Sequence, residues 1–178
     1  MTLYPVVTRL CADHVLFEQI FREIERQCVC LAVGKGFDAK KLGAAICYLN
    51  EHEKSYHHEI EERIGSLLNK QSPGYDTNIY DLSGDHSICH REFERFRRCF
   101  DNGELHACTI EEAVDCAKSY IGIERAHFIS EEELFFPYAI RHLTHRQWRT
   151  VNKLKALAEA DSSLSPDAPA LKHMIGVV

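Results

Sequence analysis

Apolar side chains recur at intervals of three and four along most of this chain, which is the spacing of one face of an α-helix. The first such stripe consists of Leu10, His14, Phe17, Phe21, Ile24, Cys28 and Leu31. Gly34-Lys35-Gly36 follows it and is typical of a helix C-terminus. The stretch therefore predicts a first helix with one buried face.

Two further stripes predict a second helix from about Ala39 to Asn69 and a third from about Asn78 to Phe100. The second stripe consists of Leu42, Ile46, Leu49, Glu53, His57, Ile60, Ile64 and Leu67. The third consists of Leu82, His86, Cys89, Phe93, Phe96 and Phe100. Gln71-Ser72-Pro73-Gly74 separates the two helices, and Asp101-Asn102-Gly103 ends the third.

Two capping boxes mark the remaining helices. Thr109-Ile110-Glu111-Glu112 predicts the start of a fourth helix, and Thr144-His145-Arg146-Gln147 predicts a shorter fifth helix that reaches about Ala160. Pro137 is expected to kink or end the fourth helix. The fourth stripe consists of Ala113, Ala117, Tyr120, Glu124, His127, Glu131 and Leu134.

Four long helices with short polar breaks, and no strand-like alternation, predict an all-α protein. The expected architecture is an antiparallel up-down-up-down four-helix bundle, with the short C-terminal helix packed outside it. Residues 1–161 are expected to form this single domain. Residues 162–178 carry two prolines without helical periodicity, which predicts a loosely ordered tail.

A histidine lies near the middle of each of the four long stripes, at His14, His57, His86 and His127. Such positions meet at one level of an antiparallel bundle, where a polar group needs a partner to offset its desolvation. Two of the histidines are followed four residues later by a carboxylate on the same helix face, at Glu61 and Glu131. A shared metal ion satisfies all of these side chains together. The alternative is a set of histidines that are satisfied separately.

Other polar residues lie close to these stripes. His90 follows His86 by one turn and is predicted to be a further ligand, with a surface histidine as the alternative. His58, Glu62, Glu132 and Glu133 are predicted to be solvated, salt-bridging or supporting groups, because they lie to the side of the buried stripe. Three tyrosines are candidates for the lining of the site: Tyr48, Tyr56 and Tyr120.

The composition narrows the function further. The 178 residues carry a net charge of −6 without a basic run, which argues against nucleic acid as a partner. No apolar run is long enough to span a membrane, and no export signal is recognisable at the N-terminus. The eight cysteines mostly fall in helical patterns, which favours reduced thiols in a cytoplasmic protein over a secreted disulfide framework.

Taken in order, these motifs resemble the hemerythrin-like family, also called the HHE cation-binding domain. The resemblance covers about Leu10 to Pro137, and the chain departs from it at Arg63-Ile64-Gly65, where the family usually has a Phe-Pro ending. The matching motifs are Asp13-His14, His57-His58-x-x-Glu61-Glu62, Asp85-His86 with His90, and His127-x-x-x-Glu131-Glu132-x-x-Phe135-Phe136-Pro137.

The resemblance implies a non-haem di-iron centre inside a four-helix bundle, with an oxo or hydroxo bridge between the irons. One iron would take His86, His90 and His127. The other would take His14 and His57, and the carboxylates of Glu61 and Glu131 would bridge the two. Manganese and zinc remain possible substitutes, because the donor types alone do not select one metal.

Three kinds of function remain open for such a centre. The first is reversible binding or sensing of a small diatomic ligand, O2 or NO, which a histidine-rich site favours. The second is redox work: handling NO or peroxide, or donating iron to damaged iron centres. The third is an iron-responsive interaction domain that folds only with its metal. The sequence does not indicate a protein partner or an oligomeric state.

Overall fold

A computed structural model describes residues 4–52, 57–71 and 80–159, and these are mostly helical. The helices are α1 (Pro5–Val33), α2 (Ala39–His52), α3 (His58–Gln71), α4 (Leu82–Arg97), α5 (Ile110–Ser130), α6 (Phe136–His142) and α7 (His145–Glu159). A π-helical turn, Glu131–Phe135, joins α5 to α6. The all-α class predicted from the spacing of apolar residues is confirmed.

Local signals in the sequence set the helix ends. Gly34 adopts φ 67° after α1, and its N–H donates to the carbonyl of Leu31. Glycine adopts this left-handed backbone conformation at little energetic cost, because it has no Cβ. The Thr109 hydroxyl accepts from the Glu112 N–H at 3.2 Å, and the Glu112 carboxylate accepts from the Thr109 N–H at 2.7 Å. Both predicted capping boxes are confirmed, since Thr144 and Gln147 make the equivalent pair of bonds before α7.

Some predicted boundaries fall beyond the described residues. The structure describes the predicted second helix in two parts, α2 and α3, because residues 53–56, which include Glu53 and Tyr56, lie outside the described ranges. So do the predicted break at 72–74, the predicted start of the third helix at Asn78, and the tail at 162–178. The third helix begins at Leu82, where the Asp81 carboxylate accepts from the Gly84 N–H at 3.0 Å.

One small element was not expected. Phe100–Asp101 pairs antiparallel with Glu104–Leu105, so Phe100 lies in a short strand rather than in the predicted third helix. Asn102 and Gly103 turn the chain with φ of 47° and 84°. Asn-Gly is the pair that favours tight hairpin turns, but strands of two residues are too short to show an alternating pattern.

Pro137 ends the regular α-helical pattern upstream of its own position. Proline has no N–H to donate, so the Glu133 carbonyl loses its α-helical partner. The Phe136 N–H instead donates to Glu131, five residues back. The wider turn changes the buried face. Leu134, predicted to be inward, is 51% exposed, whereas Phe135 is fully buried.

The buried apolar side chains form two clusters. The first, called the Phe17 cluster, is built mainly by α1, α2, α4 and α5, and its largest members include Phe17, Phe21, Leu42, Leu49, Phe93, Phe96 and Tyr120. The second, called the Phe135 cluster, is built by the start of α1, α3, α6 and α7 and includes Val6, Leu10, Ile64, Leu68, Leu82, Phe135, Phe136 and Trp148. Across the described ranges, no helix has the length and apolarity needed to cross a membrane.

Candidate metal centre

A layer of buried histidine and glutamate side chains lies between the two apolar clusters. On α1, His14 falls between Leu10 of the Phe135 cluster and Phe17 of the Phe17 cluster. On α4, His86 falls in the same way between Leu82 and Phe93. Because each helix passes through the layer once, every helix that crosses it can contribute a ligand to the same point.

The polar side chains form two groups that share one carboxylate. In each group, one ligand atom per residue lies within 4.8 Å of every other. We call these groups position 1 and position 2. Position 1 consists of His14, His57, Glu61 and Glu131, and position 2 consists of His58, Glu61, His86 and His127.

Glu61 joins the two positions. Its carboxylate is fully buried, with Oε1 3.1 Å from His57 Nε2 and Oε2 3.4 Å from His86 Nε2. One oxygen therefore faces each position. A carboxylate in this arrangement can bridge two metal ions.

Glu131 occupies the equivalent place on the π turn. Its Oε2 lies 3.2 Å from His14 Nε2 in position 1, and its Oε1 lies 3.1 Å from His127 Nε2 and 3.7 Å from His86 Nε2 in position 2. Glu131 is also fully buried. The site thus has two buried carboxylates, each with histidine nitrogens near both of its oxygens.

The outward-facing nitrogens of the histidines have acceptors of their own. His14 Nδ1 lies 2.8 Å from Glu132 Oε1, and His86 Nδ1 lies 2.9 Å from Glu62 Oε1. Since a carboxylate only accepts, Nδ1 donates the proton in both pairs. In the neutral imidazole, Nε2 then presents its lone pair to the centre. This carboxylate–histidine arrangement is the one that orients metal-binding imidazoles.

His57 and His127 are supported in a similar way. His57 Nδ1 lies 3.6 Å from Asp13 Oδ2, and the other oxygen of Asp13 accepts from Arg9 at 2.9 Å. His127 Nδ1 lies 2.8 Å from the Tyr80 hydroxyl. Tyr80 in turn hydrogen-bonds Asp85. Each of these four histidines therefore has its Nδ1 directed away from the centre.

The two His-x-x-x-Glu-Glu motifs use their residues in parallel ways. In each motif the first glutamate faces the centre, as Glu61 and Glu131 do. The second glutamate is half-exposed and orients a histidine on a neighbouring helix: Glu62 contacts His86 of α4, and Glu132 contacts His14 of α1. The repeated sequence therefore corresponds to a repeated geometry.

Without a metal, protons balance the buried carboxylates. Burial alone lowers the pKa of His57 and His86, but the carboxylates around them outweigh it and raise these values to about 10 and about 11. Glu61 shows the reverse. Burial raises its pKa, but the charge and hydrogen bonding of His57 and His86 outweigh that and hold the pKa well below its ordinary range. His57 Nε2 and His14 Nε2 lie 3.0 Å apart, which is a hydrogen-bond distance between the two rings.

The structure brings six of the seven predicted ligands together and leaves out His90. His14, His57, Glu61, His86, His127 and Glu131 all lie in the layer, whereas the side chain of His90 is exposed. The residues three and four places after an inward residue both lie near the inward face of a helix. Here Cys89, three residues after His86, is the one that is buried. The side chain of His90 therefore lies apart from the other six, and its role as a ligand stays a prediction.

His58 takes the place expected for His90. Its ring stacks on His86 with centroids 3.9 Å apart, and it belongs to position 2. Burial is the main reason that its pKa lies well below the ordinary histidine value, which favours the neutral form that binds metals. The sequence placed His58 among solvated, salt-bridging or supporting groups, whereas the structure places it within position 2. Adjacent histidines point about 100° apart on a helix, yet two metal positions side by side accept both.

A tyrosine that contacts the site was also not anticipated. Tyr120 packs in the Phe17 cluster between Phe21 and Phe93, and Tyr48 borders the same cluster. Among the described tyrosines, Tyr80 contacts a histidine of the layer, His127. Tyr80 lies outside any helix, so periodicity gives no signal for it. The sequence gives one signal for acceptors that orient the histidines. Acidic residues lie close to them in sequence: Asp13, Asp85, Glu62 and Glu132.

Two surface grooves reach the half-exposed glutamates. A groove of about 590 Å³ between α1 and α5 has Glu132, His14 and Phe128 in its lining. A second groove of about 400 Å³ has Glu62, Ser66 and Ser83 in its lining. Small ions and molecules can therefore approach each position along a carboxylate that already contacts a histidine.

No protein-family model, no curated protein and no solved structure matches this chain. The chemistry of the side chains in this layer is accordingly what distinguishes one function from another.

Proposed function

We propose that this protein binds two metal ions, bridged by Glu61 and Glu131, and that the pair of ions binds or senses a small diatomic ligand. The observation that supports this most strongly is the convergence of buried Nε2 and carboxylate oxygen atoms on one point while the Nδ1 atoms face outward acceptors. Buried charges of this kind require metals or ion pairs to offset their desolvation.

The ligands divide unequally between the two positions. Position 1 has two histidines, His14 and His57, whereas position 2 has three, His58, His86 and His127. Glu61 belongs to both positions, and Glu131 of position 1 also lies 3.1 Å from His127 of position 2. An ion in position 1 would therefore have more room for an external ligand than an ion in position 2. His14 of position 1 also lines the larger of the two grooves, the one beside Glu132.

Iron is the metal that we propose, with O2 or NO as the ligand. Imidazole nitrogen and carboxylate oxygen suit iron, manganese and zinc alike, but iron is the one of these that binds O2 or NO reversibly. The metal would supply electrons to the diatomic ligand. The protein would hold the two ions together, exclude bulk water with apolar clusters on both sides, and fix the imidazoles of His14, His86 and His127 through their Nδ1 partners. This is the hemerythrin type of centre that the sequence motifs imply.

We further infer that the helices alternate in direction, as an up-down-up-down bundle requires. Along the chain, α1 and α4 run from the Phe135 cluster to the Phe17 cluster, and α5 with the π turn runs the other way. The residues of α2 belong to the Phe17 cluster and those of α3 to the Phe135 cluster. This order supports four antiparallel segments around the layer.

The groove beside Glu132 favours a second candidate function, the handling of peroxide or NO or the release of iron to other proteins. Its half-exposed carboxylate contacts His14 directly, so an ion or a polar oxidant can reach position 1 from solvent. Turnover of peroxide or NO well above that of free iron, or transfer of iron to an acceptor, would favour this alternative over reversible binding.

The metal content and absorption spectrum of protein from iron-supplemented cells test the proposal. We expect about two irons per chain and near-ultraviolet bands that change reversibly when the reduced protein meets O2 or NO. His127→Ala is expected to lose metal, with His145→Ala on the exposed start of α7 as the matched control. Less than one metal per chain in a protein with intact helices would contradict the di-metal site.

A further inference from the structure

The groove beside Glu132 leads from the surface of α1 and α5 to the histidine layer. Two of its lining residues, Val15 on α1 and Ile129 on α5, are 62% and 57% exposed and lie at its mouth. Phe128 and His14 are buried and lie at its bottom, where their rings stack with centroids 4.2 Å apart. A molecule that enters the groove therefore meets apolar side chains of both helices before it reaches a histidine of position 1.

The charged side chains of the groove are paired with carboxylates. Arg125 donates to one oxygen of Glu18 at 2.9 Å and to Glu25 at 2.7 Å. Arg22 donates to the other oxygen of Glu18 at 3.0 Å. Two arginines and two glutamates line the groove, the second glutamate being Glu132. The lining therefore has no excess of positive charge to attract an anion, and it favours a neutral molecule.

Two other cavities that border the layer in the described part of the chain differ from this groove. The groove beside Glu62 has the hydroxyl groups of Ser66 and Ser83 in its lining. A smaller cavity of about 140 Å³ between α4 and α5 reaches His127 of position 2, the position with three histidines. The groove beside Glu132 combines an apolar mouth with access to the position that has two.

We propose that the groove beside Glu132 is the entrance through which a neutral diatomic molecule such as O2 reaches position 1. This inference rests on the proposed function and adds to it the route of the ligand and its class, neutral rather than anionic. Water solvates O2 poorly, so O2 transfers favourably to an apolar surface. Val15, Phe128 and Ile129 provide that surface next to His14.

Paramagnetic relaxation by dissolved O2 tests this proposal in the metal-free, full-length protein. O2 is paramagnetic, and it speeds the NMR relaxation of a methyl group in proportion to its concentration there. The methyl groups of Val15 and Ile129 are expected to show an enhancement roughly twofold larger than those of Val29, because O2 prefers apolar surroundings.

Val29 is the matched control for this measurement. It lies on the same helix as Val15, is equally exposed at 62%, and does not line the groove. Equal enhancement at Val15, Ile129 and Val29 would overturn the proposal, since O2 would then not collect in the groove.

The kinetics of NO binding to the reduced, iron-loaded protein provide a second measurement. Ile129→Trp is expected to obstruct the groove and to slow both association and dissociation by about 10-fold. The equilibrium affinity is expected to stay unchanged, because an obstructed entrance slows both directions alike. Far-ultraviolet circular dichroism checks that the variant keeps its helices.

Two further tryptophan variants are the controls for the kinetics. Val29→Trp adds the same bulk to the surface away from the groove, and Ile88→Trp narrows the smaller cavity that reaches His127. Both are expected to bind NO at the wild-type rate. Slower binding in Ile88→Trp together with an unchanged rate in Ile129→Trp would overturn the proposal.

The two measurements separate this proposal from the proposed function. The relaxation measurement needs no metal, so equal enhancement would overturn the entrance even in a protein that binds two irons and NO reversibly. Larger enhancement at Val15 and Ile129 in a protein that takes up no metal would support the groove as a site for O2, and would contradict the proposed function alone.

Discussion

The half-exposed glutamates Glu62 and Glu132 orient buried histidines, although exposed carboxylates usually interact mainly with solvent. Each accepts from the Nδ1 of a buried histidine, which fixes the ring and directs Nε2 to the centre. The charge of the carboxylate also makes the imidazole a stronger donor to a metal. An ordinary surface ion pair contributes little, but these pairs have one buried member.

We expect Glu62→Gln and Glu132→Gln each to weaken metal binding by roughly 10- to 100-fold, because supporting acceptors of ligand histidines typically contribute that much. The fold should persist, since both residues lie at the surface. Competition with a fluorescent chelator measures the affinity. Glu133→Gln, an exposed neighbour in the same π turn, is the control. Unchanged affinity in both variants would show that the Nδ1 contacts do not support the ligands.

In the structure, position 2 includes His58 and does not include His90. We expect His58→Ala to lower the metal content of purified protein or its affinity for the second ion, whereas His90→Ala keeps both at the wild-type level. Removal of His58 leaves position 2 with His86 and His127 as its only histidines. Metal analysis by mass spectrometry compares the metal content of these two variants with that of the wild type. Loss of metal in His90→Ala with retention in His58→Ala would reverse the roles assigned to these two histidines.

Sequence spacing identifies most residues of this layer, and the placement of His58 and His90 in the structure differs from it for a physical reason. The inward stripe of a helix specifies one direction, and His14, His57, His86 and His127 all follow it. A pair of metal ions is wider than one stripe, so the flank of α3 that contains His58 also borders the site. No single-face rule distinguishes that flank from the solvated one, which contains His90 on α4.

At the scale of elements, short-range signals determine the helices. Capping boxes, glycine at a left-handed position and proline without an N–H all act over a few residues, so the sequence predicts them. The π turn at Glu131–Phe135 combines proline chemistry with the demands of packing. Such turns are frequent at functional sites. A proline in the sequence predicts a kink but does not predict that the kink is a π turn. The exposure of Leu134, which follows from that turn, therefore could not be predicted.

Thr109→Ala is expected to destabilise the protein without disturbing the histidine layer. The threonine hydroxyl accepts from Glu112 at the start of α5, far along that helix from His127. Loss of such a cap costs about 1 kcal/mol, which lowers the melting temperature by roughly 2–4 °C in a chain of this size. Thermal unfolding of the metal-free protein measures it. Thr150→Ala removes a hydroxyl from the middle of α7 and serves as the control. A variant that loses metal would link the cap to the site.

At the scale of the whole molecule, the fully buried Glu61 and Glu131 divide the apolar interior into two parts. A chain designed only for stability would not bury these carboxylates. In the metal-free state, protons on His57 and His86 provide the compensating charge, so the stability of that state depends on pH.

The metal-free protein is expected to lose stability as the solution becomes alkaline. The raised pKa values of His57 and His86 favour folding fully below the unfolded value of about 6.5, and this contribution is lost as pH rises towards about 10 and 11. The lowered pKa of Glu61 favours folding above about 4.5, and that contribution is lost in stronger acid. The melting temperature of the metal-free protein should therefore fall between pH 6.5 and pH 10. A rise over this range would contradict the protonated state of the layer.

Metal binding should reverse this dependence, because a metal ion and a proton compete for the same nitrogen. At pH 8, loading with Zn(II) is expected to release about two protons per chain, one each from His57 and His86, whose pKa values lie well above the solution pH. Calorimetric titration in two buffers of different ionisation enthalpy counts these protons. Binding without proton release would mean that the metal-free layer is neutral, and that the buried carboxylates are balanced by some other group. His90→Ala should release the same number as the wild type, and His57→Ala fewer, which connects the count to residues of the layer.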